Sequence, residues 1–536
     1  MEEQALYVPS RSHFLLRVGA RRLLHLRRLL CDSDADLWDD PLPRALLPGL
    51  WIHRSMLHRP RARGRARDPL RRPSGIGDPV GGTTMRRRLI LRILIIGAAL
   101  VGLLAPFGST GTVAQKASPS GKTLAGIAIE EYRQRRERLM ELVPEGIVLL
   151  SGKTEEEDNE VEQKFRQRSY FMYLTGVEVP GAILALIPKG YGPERVREVL
   201  FLPPRNPARE RWTGPKVGPE EAVSEFGVER ALPTTAFESE LSKMLERTSV
   251  VYTVVPSGPS APFSRERAFI ERFRHGVEVR DVRPLLAELR RVKSPAELAL
   301  LREAVRITAE AHREVARALR PGMFEYELEA LVMATFLKNG ARRAGFPPII
   351  GSGPNSTILH YQANRRQIAA GDLVVVDIGA EYEYYTADIT RTYPASGRFT
   401  ERQRQIYALV LGAQKAAEAA FRPGQTTMRE LQEVARRFMR ESPLRSRDGQ
   451  TLDRFFIHGL GHYVGLDVHD VGDYSKPLVP GVVITIEPGI YLPDERIGVR
   501  IEDMYLVTET GLVKLSANIP SAPEEVERWM ARRTTR

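Results

Sequence analysis

Cysteine is almost absent from this chain, which has 536 residues and a single cysteine, Cys31. A disulfide within the chain is therefore excluded, because it needs two cysteines. No thiol after residue 31 can act as a nucleophile or as a metal ligand. Any catalysis in the main body of the chain must come from serine, from acidic residues or from a bound metal.

Excess positive charge is also missing from most of the chain, although the formal net charge is +12. Residues 1–114 contain 19 Arg and Lys against 9 Asp and Glu, which leaves 60 against 58 in residues 115–536. That larger region has no basic stripe with interleaved aromatic residues, the usual sign of nucleic-acid binding. We therefore expect no nucleic-acid partner. A chain of this length with 42% hydrophobic residues is expected to form two or three domains.

Residues 1–84 lack the regular spacing of apolar residues that a helix or strand would show, and they are rich in Arg and Pro. We predict that this segment lies upstream of the true translation start at Met85. The alternative is a basic, disordered N-terminal tail.

Residues 85–114 have the three-part pattern of an export signal. Arg86, Arg87 and Arg88 precede an almost wholly apolar run at residues 93–107, and small residues at 112–114 suit cleavage. The run is short for a membrane span, which needs about 20 residues. The pattern predicts a signal sequence and an exported protein, periplasmic or extracellular. An uncleaved anchor is the alternative, and it would be the only attachment to a membrane. A polar linker follows at residues 115–124.

Helical and strand patterns alternate in residues 125–285, which predicts an N-terminal α/β domain. The expected elements are a helix at 127–142 and strands at 146–150, 182–188, 198–202 and 250–255. The acidic residues of this region have the spacing of solvent-exposed helix faces. We therefore expect the catalytic groups elsewhere.

Residues 286–536 are expected to form a second domain of the α+β class. Ser294 can cap a helix with Pro295 in its first turn and Glu297 in the capping-box position. The predicted helices are 294–320, 325–339, 400–421 and 427–440, and the predicted strands are 373–379, 386–393, 482–487 and 498–507. Because helices precede strands twice, we predict a duplicated unit whose two halves supply one curved antiparallel sheet with covering helices.

Histidines cluster in residues 457–470, which read I-H-G-L-G-H-Y-V-G-L-D-V-H-D. The segment lacks the apolar period of a helix or strand, and we interpret its three glycines as leaving room between the imidazoles. His458, His462 and His469 are therefore predicted to take part in chemistry, and His360 lies in the same half of the chain.

Four acidic residues interrupt hydrophobic runs in the same half of the chain. They are Asp377 in V-V-V-D-I-G, Asp388 in T-A-D-I-T-R-T, Glu487 in I-T-I-E-P-G and Glu502 in G-V-R-I-E-D. A carboxylate in so apolar a strand is costly unless it is paired or bound to a metal. One such residue could be a salt-bridged core acid, but four of them together with a glycine-flanked histidine predict a metal centre.

Four carboxylates and one imidazole carry too much negative charge for one divalent ion, but they suit two ions that share carboxylates. The oxygen-rich set favours Mn²⁺, with Co²⁺, Fe²⁺ and Zn²⁺ as competitors, and argues against a structural zinc. Two ions about 3.5–4 Å apart can activate a shared water and polarise a carbonyl, so hydrolysis is the expected reaction.

The order Asp377, Asp388, His462, Glu487, Glu502 resembles the metallopeptidase family that includes aminopeptidase P, prolidase and methionine aminopeptidase. Similar motifs include I-L-H-Y at 358–361, A-D-I-T-R-T at 387–392 and R-I-E-D at 500–503. F-R-Q-x-S-x-F at 165–171 and Y-L-T-G at 173–176 resemble the creatinase-type N-terminal domain of Xaa-Pro aminopeptidases. The resemblance implies that the C-terminal domain has the pita-bread fold. Tyr170 departs from the pattern, since bacterial relatives often carry an aspartate there, near the active-site entrance.

The resemblance also implies roles for individual residues. Asp377 would bind one ion, Asp388 and Glu502 would bridge both, and His462 and Glu487 would hold the other. Glu487 would also carry the proton to the leaving nitrogen. The remaining roles would be contact with the scissile carbonyl for His360 and His469, shaping of the proline pocket for His458, and orientation of the ligand carboxylates for Arg500.

The function implied is that of a dinuclear-metal Xaa-Pro aminopeptidase acting on peptides with proline in the second position. The alternative is a prolidase, which shares the metal ligands but requires a dipeptide. The W-T-G-P-K-V-G element at 212–218 and the P-D-E-R segment at 493–496 resemble the aminopeptidase P pattern more closely. A remote alternative is a non-catalytic peptide-binding module on the same fold. A homo-oligomer is also expected.

Overall fold

The computed structural model describes residues 123–155, 164–257, 265–273 and 276–531. Residues 1–122 lie outside the described residues. The predictions for residues 1–84, for residues 85–114 and for most of the linker at 115–124 therefore stay predictions. Within those residues, every helix is too short or too polar to cross a membrane.

The N-terminal half is built on a mixed six-stranded sheet. Its strands, after the small hairpin of β1 (Thr123–Leu124) and β2 (Ile127–Ala128), are β3 (Ile147–Ser151), β4 (Ile183–Tyr191), β5 (Val196–Leu202), β6 (Arg230–Pro233), β7 (Val250–Thr253) and β8 (Glu278–Asp281). The sheet order is β6-β5-β4-β3-β7-β8, with antiparallel pairing of β4 to β3 and β5 and parallel pairing elsewhere.

Helices alternate with these strands, as the α/β prediction requires. They are α1 (Ile129–Leu142), α2 (Ser169–Thr175), α3 (Pro207–Thr213), α4 (Pro219–Phe226), α5 (Phe237–Met244), α6 (Arg265–Ile270) and α7 (Arg283–Arg291). Helix α1 begins two residues later than predicted, because Ile127 pairs with Leu124 in the small hairpin. The α/β class of this half is confirmed.

The described residues of the C-terminal half form five helices, of which the sequence predicted the first four. They are α8 (Pro295–Ala318), α9 (Glu325–Lys338), α10 (Glu401–Ala420), α11 (Met428–Glu441) and α12 (Pro523–Ala531). Ser294 accepts a hydrogen bond from the Glu297 amide, and Glu297 accepts one from the Ser294 amide, which completes the capping box. Thr400 and Thr427 cap α10 and α11 in the same way.

The strands of the C-terminal half form four short antiparallel ladders. They are β9 (Arg343–Ala344), β10 (Ile349–Ser352), β11 (Leu373–Ile378), β12 (Ala380–Tyr382), β13 (Tyr385–Thr386), β14 (Ile389–Pro394), β15 (Val483–Ile486), β16 (Gly489–Leu492), β17 (Ile497–Arg500), β18 (Asp503–Thr508) and β19 (Gly511–Lys514). The ladders are β10-β11-β14, β13-β12-β9, β15-β18-β19 and β16-β17. Short 3₁₀ helices lie at Thr234–Ala236, Gly353–Thr357, Leu452–Phe455 and Pro493–Glu495.

Two long hairpins in this half are each interrupted near the middle. In the first hairpin, the β11–β14 pair is followed, after a break, by the β12–β13 pair. In the second hairpin, the β15–β18 pair is followed, after a break, by the β16–β17 pair. The predicted strands at 386–393 and 498–507 are therefore wrong as single strands. At the second interruption the Glu487 amide donates to the Leu460 carbonyl, and the Glu502 amide donates to the Thr390 carbonyl, so the backbone pairs outside its own hairpin.

The two interrupted hairpins occupy equivalent places in a duplicated arrangement. A pair of helices precedes each hairpin, and a short extended segment lies antiparallel to its first strand. For the first hairpin this segment is β10, which pairs with β11. For the second hairpin it is the chain at Tyr463, which forms a bridge with Ile484 in β15. Thr392 bonds to the backbone of Arg500 and so links the hairpins side by side. The predicted α+β fold is confirmed.

Candidate metal centre

A cavity of about 310 Å³ opens where the interruptions of the two hairpins meet. Every site residue predicted from the sequence lines it: His360, Asp377, Asp388, His458, His462, His469, Glu487, Arg500 and Glu502. Leu359, Gly459, Gly461 and Tyr474 complete the lining. The structure therefore brings together predicted residues as far apart as His360 and Glu502, which are 142 positions apart in the sequence.

The four acidic residues reach the cavity from the backbone positions where the pairing changes. Asp377 lies in β11 opposite Thr390, and Asp388 immediately precedes β14. Glu487 follows the end of β15, and Glu502 lies between β17 and β18. Because each interruption turns the backbone away from its own hairpin, these side chains converge instead of alternating between the faces of a sheet.

The imidazole of His462 lies among three of the carboxylates. Its Nε2 is 3.3 Å from Asp388 Oδ2, 3.5 Å from Glu487 Oε1 and 3.8 Å from Glu502 Oε1. Its Nδ1 is 3.1 Å from the carbonyl oxygen of Tyr463, a contact that turns Nε2 towards the carboxylates.

The ligand atoms form overlapping groups that fit metal ions. The sets Asp377–Asp388–Glu502 and His462–Glu487–Glu502 each have ligand atoms within 4.8 Å of one another. Asp377 Oδ1 and Asp388 Oδ1 are buried and have no hydrogen-bond partner among the described residues. Buried carboxylate oxygens without a partner are costly, and a divalent cation would satisfy them. The residues present therefore fit a metal site.

The pKa values of these acids reflect the same crowding. Burial and the neighbouring Asp377 and Glu487 carboxylates raise the pKa of Asp388 well above its usual range. Burial, followed by Asp388 and Glu487, raises the pKa of Glu502 in the same way. Burial also raises the pKa of Glu487. Without a cation, the cluster thus opposes the charged form of its own ligands.

Arg500 holds one side of the cluster in place. Its Nη2 donates to Asp377 Oδ2 at 2.6 Å, and its Nη1 donates to the Tyr491 hydroxyl at 2.8 Å. Its Nε donates to the Thr390 hydroxyl at 3.2 Å, and that hydroxyl donates to Glu502 Oε2 at 2.7 Å. These contacts place Arg500 beside two of the carboxylates, and its role in orienting them stays a prediction.

His458 is tied to the same group through Tyr491. Its Nε2 lies 2.9 Å from the Tyr491 hydroxyl, and its Nδ1 lies 2.8 Å from the Gly459 carbonyl oxygen. Burial and the nearby Arg500 lower the pKa of His458 to about 3, so this imidazole is neutral at physiological pH. His458 lines the cavity, and its predicted part in shaping the proline pocket stays a prediction.

His360 and His469 are the exposed histidines of the cavity. Their ring centroids are 6.5 Å apart, and the His469 ring lies 4.2 Å from that of His462. His469 also forms a set with Asp388 and His462 whose ligand atoms lie within 4.8 Å of one another, so its imidazole is close enough to bind an ion. Its predicted contact with the substrate carbonyl stays a prediction.

The glycines of the histidine-rich segment serve a different purpose from the one we inferred. A Cβ on Gly461 would overlap the Thr485 carbonyl oxygen, and one on Gly465 would overlap the Asp470 carboxylate. A Cβ on Gly459 would meet nothing within 4 Å. Close backbone and side-chain approach, and not space between imidazoles, therefore explains Gly461 and Gly465.

Four residues near the centre were missed by the sequence analysis. Thr390 and Tyr491 hold Arg500 and the ligands, Tyr474 lines the cavity, and Asp470 anchors the chain next to His469. Thr390 and Tyr491 lie in β-strands, where hydroxyl groups are common, so their sequence pattern carries no signal of this role. Tyr170, the departure noted above, lies under the Arg290 guanidinium and does not line this cavity.

Buried carboxylates with unsatisfied oxygens, a histidine among them and further histidines in one cavity define a metal-dependent hydrolase. Comparison with known proteins narrows this class. Residues 299–509 match the profile of metallopeptidase family M24, and residues 132–252 match the aminopeptidase P N-terminal domain. This chain belongs to metallopeptidase family M24 and is an enzyme, a metallopeptidase.

Relatives match most of their own length. The Xaa-Pro aminopeptidase of Haemophilus influenzae is 37% identical over 431 residues, which cover 76% of this chain and 98% of that relative. Aminopeptidase P from Escherichia coli with the inhibitor Pro-Leu has a TM-score of 0.68 at 36% identity, with coverage of 76% and 98%. Proline aminopeptidase P II from Yersinia pestis has a TM-score of 0.67 at 36% identity, with coverage of 76% and 100%. Membership of the family implies divalent metal binding at the centre described.

Proposed function

We propose that the protein is an aminopeptidase that hydrolyses the bond between an N-terminal residue and a following proline. The observation that carries the proposal is the complete group of four carboxylates and His462 in a cavity that also presents His360, His458 and His469. The relatives named above, which are Xaa-Pro aminopeptidases, support the substrate class.

Two divalent ions, most readily Mn²⁺, are the proposed cofactor. Asp377 would hold one ion, His462 and Glu487 would hold the other, and Asp388 and Glu502 would lie between them. The predominance of oxygen ligands supports Mn²⁺ over a soft metal. When bound, the pair of ions would supply an activated water and polarise the scissile carbonyl.

The protein groups around the ions would orient the substrate and move the proton. Glu487 Oε2 lies 3.8 Å from His458 Nδ1, at the side of the cavity where His458 contacts the Tyr491 hydroxyl. In this position Glu487 can accept a proton and pass it to the leaving nitrogen of proline. His360 and His469, which also line the cavity, can donate hydrogen bonds to the developing oxyanion.

A comparison of peptides tests the proposed reaction. The full chain is reconstituted with Mn²⁺ and assayed on Xaa-Pro-Yaa and on Xaa-Ala-Yaa, with Glu487→Gln as the inactive control. We expect hydrolysis of the first peptide only. Equal hydrolysis of both peptides, or of neither by the metal-loaded protein, would contradict the proposal.

The length of the substrate separates this reaction from that of a prolidase. A dipeptidase must bind the free carboxylate after proline, whereas an aminopeptidase must leave that end of its site open. We expect kcat/KM for Xaa-Pro-Yaa to be at least as high as for the matching Xaa-Pro dipeptide. Strong dipeptide hydrolysis without tripeptide turnover would reassign the protein to prolidase.

The remaining expectations are proposals that rest on the sequence alone. They are export through residues 85–114, assembly into a homo-oligomer, and no binding of nucleic acid. The three-part pattern of residues 85–114 supports export. The balanced charge of residues 115–536 supports the absence of nucleic-acid binding.

A further inference from the structure

The chain segment that carries His469 is anchored by side chains of the N-terminal half and of the connection that follows α7. This anchored segment is residues 465–470, which follow His462 and end next to His469. Its backbone bonds are few: the Asp470 amide donates to the Tyr463 carbonyl at 2.8 Å, the Gly465 amide donates to the Asp467 carbonyl at 3.1 Å, and the Gly465 carbonyl accepts from the Thr386 amide at 3.0 Å. An irregular segment of this kind relies on side-chain contacts to keep one conformation.

Two buried cations hold Asp470. Arg290, near the end of α7, donates through Nη2 to Asp470 Oδ1, and Lys293, in the connection between α7 and α8, donates to Asp470 Oδ2 at 3.1 Å. The side chains of Arg290, Lys293 and Asp470 are 2%, 1% and 1% exposed. Because all three charges are buried, the loss of one partner would leave the others unsatisfied.

The segment is also held through Leu466 and Asp467. Arg290 Nη2 donates to Asp467 Oδ2 at 2.8 Å, and the Ser169 hydroxyl of α2 donates to Asp467 Oδ1 at 2.6 Å. Arg166 donates to the Leu466 carbonyl at 2.6 Å. Arg166 and Ser169 both belong to the N-terminal half, so this half contacts the segment directly through hydrogen bonds.

The anchored segment is fitted closely around Asp470. A Cβ at Gly465 would overlap the Asp470 carboxylate, so the glycine lets the carboxylate approach the chain. The Arg290 guanidinium, which binds Asp470, also lies over the Tyr170 ring, 4.9 Å from the ring centroid. Tyr170 also belongs to the N-terminal half, and it supports Arg290 by a cation–π contact.

We propose that Arg290 and Lys293 are positioning residues for the reaction: they fix Asp470 and so hold the adjacent His469 imidazole at the cavity. The N-terminal half would thus contribute to catalysis by holding this segment. The inference rests on the proposed function, since His469 is the group through which the positioning acts. Displacement of a catalytic group by about 1 Å can reduce a rate about 100-fold, so a modest shift of the segment would be measurable.

A double-mutant comparison tests this inference. Arg290→Met is made in the natural chain and in His469→Ala, and kcat and KM are measured on an Xaa-Pro-Yaa peptide with Mn²⁺. We expect Arg290→Met to lower kcat about tenfold in the natural chain, with a smaller change in KM. In the His469→Ala background we expect less than about a twofold change, because the group being positioned is absent.

Controls separate positioning from general damage. Arg306→Met removes a cation whose side chain is 45% exposed and should leave kcat unchanged. Arg290→Lys should recover part of the lost rate, and the bound metal of Arg290→Met, measured by elemental analysis, should equal that of the natural chain. Hydrogen exchange should be faster in residues 465–470 of Arg290→Met than in the natural chain.

Two outcomes would overturn the inference. One is an equal loss of kcat from Arg290→Met in both backgrounds, and the other is unchanged exchange in residues 465–470. If Arg290→Met does not fold, Ser169→Ala replaces it in the same comparison, with an expected loss of about threefold in the natural chain only. An inactive natural chain would instead refute the proposed function, which distinguishes the two failures.

Discussion

The carboxylates of the metal centre have opposite effects on folding and on binding. Asp388 and Glu502 are 5% and 2% exposed, and each lies beside other acids that raise its pKa. Their mutual repulsion destabilises the metal-free protein, whereas the same charges attract divalent cations. Neutralising one carboxylate should therefore separate the two effects.

Glu502→Gln provides this test, because the amide keeps the size of the side chain and can still accept the Thr390 hydrogen bond. We expect the metal-free variant to melt about 2–4 °C higher than the natural protein. We also expect it to bind less Mn²⁺ and to have no measurable peptidase activity. Differential scanning fluorimetry with and without Mn²⁺, together with elemental analysis, measures these effects.

Glu509→Gln is the matched control, since Glu509 is an exposed residue of the turn between β18 and β19, at the other end of the strand that follows Glu502. It should leave the melting temperature, the metal content and the activity unchanged. Two ions per chain in Glu502→Gln would contradict the assignment of Glu502 to the metal centre.

Single residues of the site were predictable where they conflicted with their surroundings. Asp377 stands in a run of valines, and a buried charge there needs a chemical reason. Arg290 and Asp470 are also buried charges, but they are 180 positions apart and their local sequence is unremarkable. Pairing over that distance depends on the packing of both halves, which no local pattern reports.

At the scale of elements, the segment at residues 457–470 depends on one close approach to β15. The His462 amide donates to the Thr485 hydroxyl at 3.0 Å, and the Thr485 amide donates to the His462 carbonyl at 2.9 Å. Gly461 lies against the Thr485 carbonyl oxygen, so a side chain there would push His462 away from the carboxylates.

Gly461→Ala is therefore expected to reduce kcat/KM at least tenfold and to destabilise the protein by about 1–3 kcal/mol. Gly459→Ala, two residues away in the same motif, should have little effect, because a Cβ there meets nothing within 4 Å. Activity and thermal melting of the two variants can be compared directly. Similar losses in both variants would show that the close approach at Gly461 is not the cause.

Helix α8 carries a buried histidine that should make folding sensitive to acid. His312 is 0% exposed, and its ring nitrogens lie 3.1 Å from the Tyr393 hydroxyl and 3.0 Å from the Ile389 carbonyl oxygen. Burial, with a smaller contribution from Arg391, lowers the pKa of His312 to about 3. Since the ordinary pKa of histidine is about 6.5, the unfolded chain binds a proton at this residue between these two pH values and the folded chain does not.

The free energy of unfolding should therefore fall as pH decreases from about 6.5 to 3, by about 1.4 kcal/mol per pH unit from this residue. His312→Gln removes the titrating group. Its melting temperature should decrease less than that of the natural chain between pH 6.5 and pH 4.5. Parallel decreases in the two proteins would show that His312 does not contribute to the acid sensitivity.

The elements themselves were predictable to different degrees. The starts of α8, α10 and α11 were placed to the residue, because Ser294, Thr400 and Thr427 carry the capping chemistry in their own sequence. The interruptions of the hairpins were not found. Their apolar pattern continues across the break, and the bonds that cause it, such as that of the Glu502 amide to Thr390, come from distant strands.

At the scale of the whole molecule, the two halves are joined by charge contacts as well as by packing. Arg166 donates to Glu381 at 2.6 Å, beside its contact with Leu466, and Tyr384 accepts a hydrogen bond from the Gln167 amide at 3.0 Å. These contacts place the N-terminal half against both the first hairpin and the anchored segment. The sequence predicted two domains, but it gave no indication of which residues join them.

The unequal distribution of charge leads to a prediction for the complete chain. The excess of Arg and Lys lies in residues 1–114, ahead of a region with 60 basic and 58 acidic residues. A positive cluster, an apolar run and small residues follow one another at residues 85–114, which is the order that an export signal requires.

We expect cleavage after Ala114 and a mature N-terminus near Gln115. N-terminal sequencing of protein from the native host measures this position, and Arg87→Glu with Arg88→Glu should reduce export by weakening the positive cluster. Intact Met1 recovered from the cytoplasm would contradict both the export signal and a translation start at Met85, while the metal centre of the C-terminal half would be unaffected.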